Sequence, residues 1–177
     1  MIDVTQNRAA QKWTRREKLG RILWAMAQLV FRLIPRPLWS FRVWVLRLFG
    51  AKIGNQVHIY PTVRISIPCN LNIGDQVAIG ERAILYALGP ITIGPRTVIS
   101  QYSHLCAGTH DYRDPAFPLL KTPIGIGADV WVCAQSFIGP GVEIGEGAII
   151  GACSVVMKNV PPRAVGSGNP FHNRKSR

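Results

Sequence analysis

At 177 residues with 47% hydrophobic and 17% charged side chains, the chain suits one folded domain with an appendage. Its formal charge of +12 is concentrated at the ends: residues 1–52 hold 11 Lys/Arg against 2 Asp/Glu, residues 53–173 hold 7 of each, and Arg174, Lys175 and Arg177 supply the rest. The bulk of the chain is neutral and carries no basic stripe with interleaved aromatics, which weakens nucleic-acid binding as its main function.

Residues 1–14 are polar and predict a frayed terminus. From 15 to 49 the character changes. The run TRREKLGRILWAMAQLVFRLI predicts a helix that Pro35 and Pro37 end. The next piece, LWSFRVWVLRLF, is apolar almost all round. Arginines at 21, 32, 36, 42 and 47 recur too often for a membrane span, which needs about 20 mostly uncharged residues. No small-residue cleavage site follows, so a signal peptide is not expected. Two readings stay open for this segment. It caps the solenoid that follows and packs on neighbouring subunits, or it lies on an anionic lipid surface through Trp24, Trp39, Trp44 and its arginines.

From residue 53 an aliphatic residue returns every sixth position: Ile53, Ile59, Ile65, Ile73, Ile79, Leu85, Ile93, Ile99 and Leu105. After a gap the series resumes with Ile126, Val132, Ile138, Ile144, Ile150 and Val156. The residue four places after each is never larger than Val. Neither a helix nor an exposed strand keeps that period, but a hexapeptide solenoid does. Three hexads close one triangular coil, with the aliphatic residue inside and the small residue at a tight corner. The fold class expected is all-β, a parallel β-helix over 53–161 behind an N-terminal helical segment (1–52). Its coils fall at about 53–72, 73–92, 93–110, 126–143 and 144–161. Residues 111–125 (DYRDPAFPLLKTPIG) break the rhythm and predict an extruded loop, which on a rigid solenoid is a place for function. The tail 162–177 leaves the repeat.

Cys69, Cys106, Cys133 and Cys153 are far apart in ordinary repeat positions, with no CxxC or zinc-finger spacing. They read as small wall residues kept reduced in a cytosol. His110 ends the third coil immediately before the loop, a suitable place for a general base at neutral pH. His104 lies one hexad earlier, and His58 and His172 lie elsewhere.

The stretches Ala107-Gly108-Thr109-His110-Asp111, Thr122-Pro123-Ile124-Gly125-Ile126-Gly127 and Asp129-Val130-Trp131-Val132 resemble the hexapeptide-repeat acyltransferases. So do Pro140-Gly141-Val142-Glu143-Ile144-Gly145, Val155-Val156-Met157-Lys158 and Gly168-Asn169-Pro170. Leu46 to Gly54 and Leu85 to Gly94 resemble, more narrowly, the colanic acid biosynthesis acetyltransferases. The resemblance implies a left-handed β-helix in a homotrimer with active sites between subunits. It implies acetyl-CoA as co-substrate, no metal, and an O-acetyl transfer in which His110 takes the proton of a sugar hydroxyl. By family position the backbone amide of Ala134 meets the oxyanion, and Trp131 lies near the acetyl end. The amides of Ala134 and Ala152 hold the pantetheine, while Lys158 and Arg163 meet the phosphates. Relatives carry an acceptor-binding asparagine where this chain reads Ala83-Ile84-Leu85-Tyr86. Tyr86, Asp111 or Arg113 is then expected to take over acceptor recognition.

The expected acceptor is a sugar of an exopolysaccharide or its lipid-linked precursor, which places the protein in the cytoplasm or on the inner face of its membrane. A sugar-amine N-acetyltransferase of the same fold is the alternative. An interface-zinc hydratase is a third reading, disfavoured because His104 and His110 have no third histidine nearby.

Overall fold

The six-residue period sends the chain around a prism with three walls, as a computed structural model describes for residues 4–176. Strands Lys52–Ile53, Leu71–Ile73, Ile91–Ile93, Ile124–Ile126 and Glu143–Ile144 stack in parallel as the first wall. The second wall holds His58–Ile59, Ala78–Ile79, Val98–Ile99, Trp131–Val132, Ile149–Ile150 and Ala164–Ser167. The third holds Arg64–Ile65, Ile84–Tyr86, His104–Cys106, Phe137–Ile138 and Val155–Val156. Register follows the hexads, so Ile59 stacks on Ile79, Ile99, Val132 and Ile150 in one column. All fifteen aliphatic positions are buried, at most 8% exposed. That column packing is the core, and each coil completes it only by contact with its neighbours.

The corners contain what the sequence does not advertise. The residue three places into the hexad adopts a left-handed backbone at Gln56, Gln76, Arg96, Asp129 and Arg163 on one edge. Arg82, Tyr102, Gln135 and Cys153 do so on the next. Such a conformation disfavours any residue with a Cβ. A ladder of amides offsets that cost: Arg96 N–H donates to Asp75 O, Asp129 N–H to Pro95 O, and Cys153 N–H to Ala134 O, all at 2.8–3.0 Å. Cys69 and Cys153 are exposed rather than wall-filling, Cys153 because it occupies one of these corners and Cys69 because it lies in the short 3-10 turn Pro68–Asn70.

The tail does not leave the repeat as expected. Ala164–Ser167 adds a sixth strand to the second wall, and His172–Ser176 folds back antiparallel on it. The hexad pattern missed this strand because Ala164 and Gly166, not large aliphatics, face inward there.

The N-terminal end is closed by helices α1 (Val4–Ala9), α2 (Arg15–Leu33) and α3 (Trp39–Leu48). A Thr14–Glu17 capping box starts α2. In the walls the N–H that follows each inward aliphatic residue bonds to a carbonyl of the next coil (Gly54 to Ile73 O, Tyr60 to Ile79 O, Ser66 to Leu85 O), so the carbonyls of Ile53, Ile59 and Ile65 have no coil beneath them to pair with. Side chains from the helices meet one on every wall. Arg47 Nε and Nη2 donate to Ile53 O (3.0 and 2.7 Å), Arg42 Nε to Ile59 O (2.8 Å), and Trp24 Nε1 to Ile65 O (2.7 Å). The cap thereby satisfies an edge that would otherwise template pairing. Trp24 is 3% exposed and Arg42 is fully buried, so these two of the side chains expected at a lipid surface face the solenoid instead, while Trp44 is 54% exposed. Burial and, secondarily, the neighbouring Arg36 push the Arg42 guanidinium down from its ordinary value. Its remaining donors reach Ile34 O, Pro35 O and Arg36 O, the open C-terminal end of α2. Residues 4–9, expected to fray, form a helix because Asn7 finds partners across the molecule.

Candidate active site

His110 lies at the corner between the third and first walls, where the chain departs into the 111–125 excursion. That excursion is a hairpin: Thr109–His110 pairs antiparallel with Leu119–Leu120. Gly89 lets the returning strand approach, since a Cβ there would stand 2.5 Å from Thr122 O. The imidazole of His110 stacks on the Phe117 ring at 4.3 Å with 3° between planes. Its Nδ1 is 2.9 Å from Phe117 O. A carbonyl only accepts, so Nδ1 carries the proton and Nε2 keeps the lone pair. This is the tautomer a general base acting through Nε2 requires.

Phe117 O also accepts from Asn7 Nδ2, and the Asn7 amide reaches Ala116 O at 3.3 Å. Lys12 Nζ holds Asn7 Oδ1 at 2.5 Å. Farther along the hairpin, Lys121 pairs with Glu17 (3.3 Å) and lies 3.9 Å above the Trp13 ring. The N-terminal segment thus clamps the hairpin that orients His110. Asn7 and Phe117 escape a reading of the sequence because their bonds run between a polar side chain and a main-chain carbonyl over a hundred positions apart.

His104 is different. It projects from the third wall between Tyr86 (6.2 Å) and Phe137 (5.3 Å), both edge-on. Burial lowers its pKa, and its Nε2 is buried with no hydrogen-bond partner among the described residues. Tyr86 is 38% exposed on the same wall, one coil below. Asp111 and Arg113 lie on the hairpin, where Asp111 Oδ1 accepts from the Arg113 amide at 2.9 Å.

The residues expected to hold the co-substrate, Lys158 apart, lie on other edges. Ala134 and Ala152 sit one above the other at the corner between the second and third walls, and their N–H groups donate to no acceptor among the described residues. Trp131 projects from the second wall, 49% exposed, its Nε1 3.0 Å from Ser100 Oγ. This edge of small side chains and free amides beside a flat indole fits an extended pantetheine arm. Lys158 is exposed at the same corner as His110 but two coils on. Arg163 is at the remaining corner, lining a cavity of about 580 Å³ with Arg96, Asp129 and Glu146. Within one chain, then, the third wall separates His110 from Ala134, and the structure does not bring them together. Among the described residues no cluster of three or more His, Cys, Asp or Glu could hold a metal ion. Nor is any helix there long and apolar enough to cross a membrane.

The bacterial transferase hexapeptide (six repeats) family model matches residues 123–158. An inferred colanic acid biosynthesis acetyltransferase of Escherichia coli is 45% identical over 150 residues, 85% of this chain and 82% of that protein. Galactoside O-acetyltransferase of the same organism is 30% identical over 123 residues, 68% of this chain and 61% of its own. A hexapeptide-repeat acetyltransferase of Vibrio cholerae superposes with a TM-score of 0.85 at 25% identity, over 92% of this chain and 93% of the other. Its structure with acetyl coenzyme A superposes at 0.69 and 19% identity, over 94% and 91%.

Proposed function

The chain belongs to the hexapeptide-repeat acyltransferases, and from that premise we propose that it is an O-acetyltransferase for a sugar hydroxyl in exopolysaccharide or lipid-linked glycan assembly. The observation that carries this reading is the imidazole of His110, fixed by Phe117 O with Nε2 free. Acetyl-CoA supplies the activated acyl group as a thioester. His110 Nε2 takes the proton of the acceptor hydroxyl as its oxygen bonds to the thioester carbonyl carbon. The imidazolium then returns that proton to the departing sulfur. The Ala134 N–H stabilises the oxyanion, a contribution of typically about 3–4 kcal/mol for such a donor. Trp131 flanks the acetyl end, Ala152 N–H bonds the pantetheine, and Lys158 and Arg163 take the phosphates. Tyr86, Asp111 and Arg113 face the acceptor.

Because one wall separates His110 from Ala134, the working site is completed by a second copy, and three copies close the ring as a homotrimer. Purified protein with acetyl-CoA and a panel of sugars tests the reaction: an alkali-labile ester is expected on the sugar. An alkali-stable amide would overturn O-transfer in favour of N-transfer.

Helix α2 adds a location. Trp24 and Phe31 face the solenoid, while Leu19, Ile22, Leu23, Met26, Leu29 and Leu33 form the opposite stripe, 48–81% exposed. Lys18, Arg21 and Arg32 flank it. An apolar stripe edged by cations suits the anionic cytoplasmic face of a membrane, each basic residue adding about 1 kcal/mol. Wild-type protein should co-sediment with anionic vesicles at low salt, and the Leu23→Glu/Met26→Glu pair should not. A wild-type protein that ignores the vesicles contradicts the attachment.

A further inference from the structure

Between α2 and the lower coils of the third wall runs an open cleft of about 730 Å³, lined by Lys18, Arg21, Arg32 and Arg64 together with apolar and amide groups. It continues past Arg32 and Arg64 into a second hollow of about 600 Å³, closed by Arg82. Five cations thus line one continuous surface, and no carboxylate lines either hollow. Among the described residues none of the five makes an ion pair with an Asp or Glu. Arg21 lies over the Trp13 ring at 4.1 Å, and Arg82 Nη1 is 3.3 Å from Tyr102 Oη. Uncompensated like charges in a concave, partly apolar site raise the local anion concentration, and guanidinium forks match phosphate oxygens in pairs.

We infer that this cleft binds the diphosphate of a glycosyl-diphosphate acceptor. The inference rests on the acetyl-transfer reading above and specifies its acceptor. Coenzyme A phosphates are a poor match for the location. The free amides that suit pantetheine run from Ala134 on the fourth coil to Ala152 on the fifth, away from the cleft, which sits on the first two. An acceptor fits the location better. Arg64 pairs with Ile84 and Ile84 with His104 up the third wall, two strand spacings or about 10 Å. A sugar joined to a diphosphate in the cleft would therefore extend past Tyr86 towards the corner that carries His110. Nucleotide-linked and polyprenyl-linked sugars share this diphosphate.

Isothermal titration of the full-length protein with inorganic pyrophosphate, in saturating coenzyme A, is the direct test. One site per chain is expected, weakened at least ten-fold in Arg32→Gln/Arg64→Gln, with coenzyme A affinity unchanged in the same variant. Absence of binding, binding indifferent to the substitutions, or displacement by coenzyme A would each overturn the assignment. An unchanged melting temperature establishes that the variant is folded. In turnover, the variant should raise KM for the true acceptor and leave KM for acetyl-CoA alone. A rise with a nucleotide-diphosphate sugar identifies the soluble source, and a rise with a polyprenyl-diphosphate sugar in vesicles identifies the lipid one. A rise with neither shows that the cleft does not serve the acceptor. If acetyl transfer itself is wrong, pyrophosphate still binds but no ester forms, so the two failures are distinguishable.

Discussion

Replacing His110 with alanine is expected to lower kcat by about 10²–10⁴-fold, the usual cost of removing a general base. The dissociation constant for acetyl-CoA should barely move, because the amides of Ala134 and Ala152 and the phosphate-binding cations hold the cofactor rather than the imidazole. Asn7→Ala makes an informative companion. It leaves the imidazole in place and removes one of two donors on Phe117 O, so its loss should be far smaller, on the order of ten-fold, and confined to kcat. His104→Ala is the control. That ring is half-buried between Tyr86 and Phe137, and its loss should cost far less than that of His110. Steady-state kinetics with acetyl-CoA binding on the same preparations decides the matter. A His110 variant with near-normal kcat would remove the base from the mechanism.

Arg42→Ala should be the most damaging change to the fold. The side chain is fully buried and its three nitrogens donate to four carbonyls at 2.7–3.0 Å: Ile59, Ile34, Pro35 and Arg36. Truncation opens a cavity and leaves those acceptors unpaired at the junction of α2, α3 and the first coil. Charge-assisted bonds contribute about 1.5–3 kcal/mol each and are not additive, so a total loss of about 3–5 kcal/mol is expected. For a chain of this size that corresponds to a melting temperature lower by on the order of 10 °C. Arg42→Lys should recover only part, since one ammonium cannot span four acceptors. Arg36→Ala removes an exposed cation, 57% accessible beside Glu81, and should cost no more than about 1 kcal/mol. Thermal melts of the three variants are the check, and an Arg42→Ala protein as stable as wild type would contradict this account of the cap.

The solenoid was legible because its geometry is written one side chain per wall. Ile59, Ile79 and Ile99 recur every 20 residues as they stack, and Val132 and Ile150 resume the same column after the excursion. The corners were not legible, since Gln56, Arg82 and Tyr102 hold left-handed backbones through amide ladders rather than through glycine. The buried role of Arg42 left no trace in the sequence because its partners are main-chain oxygens, independent of side-chain identity. The choice between cap and lipid anchor stayed open for Trp24 for a related reason. A helix apolar on two opposite faces does not declare which face is covered, and the structure gives Trp24 and Phe31 to the solenoid and leaves Leu23 and Met26 outside. The corner position of His110 and the excursion after it could be read from the broken rhythm. Its orientation by Phe117 and Asn7 could not.

The separation of His110 from Ala134 makes the central claim directly measurable. Chains carrying His110→Ala are to be co-expressed with chains carrying Ala152→Trp, which fills the free-amide edge. Each variant alone should be nearly inactive. Where mixed oligomers form, as mass spectrometry of the intact assembly would register, about one interface in four joins an intact His110 to an intact Ala134–Ala152 edge. Activity should therefore recover to about a quarter of wild type. Mixed oligomers with no recovery would mean that base and amide edge act within one chain, and the account of a site shared between copies would be wrong.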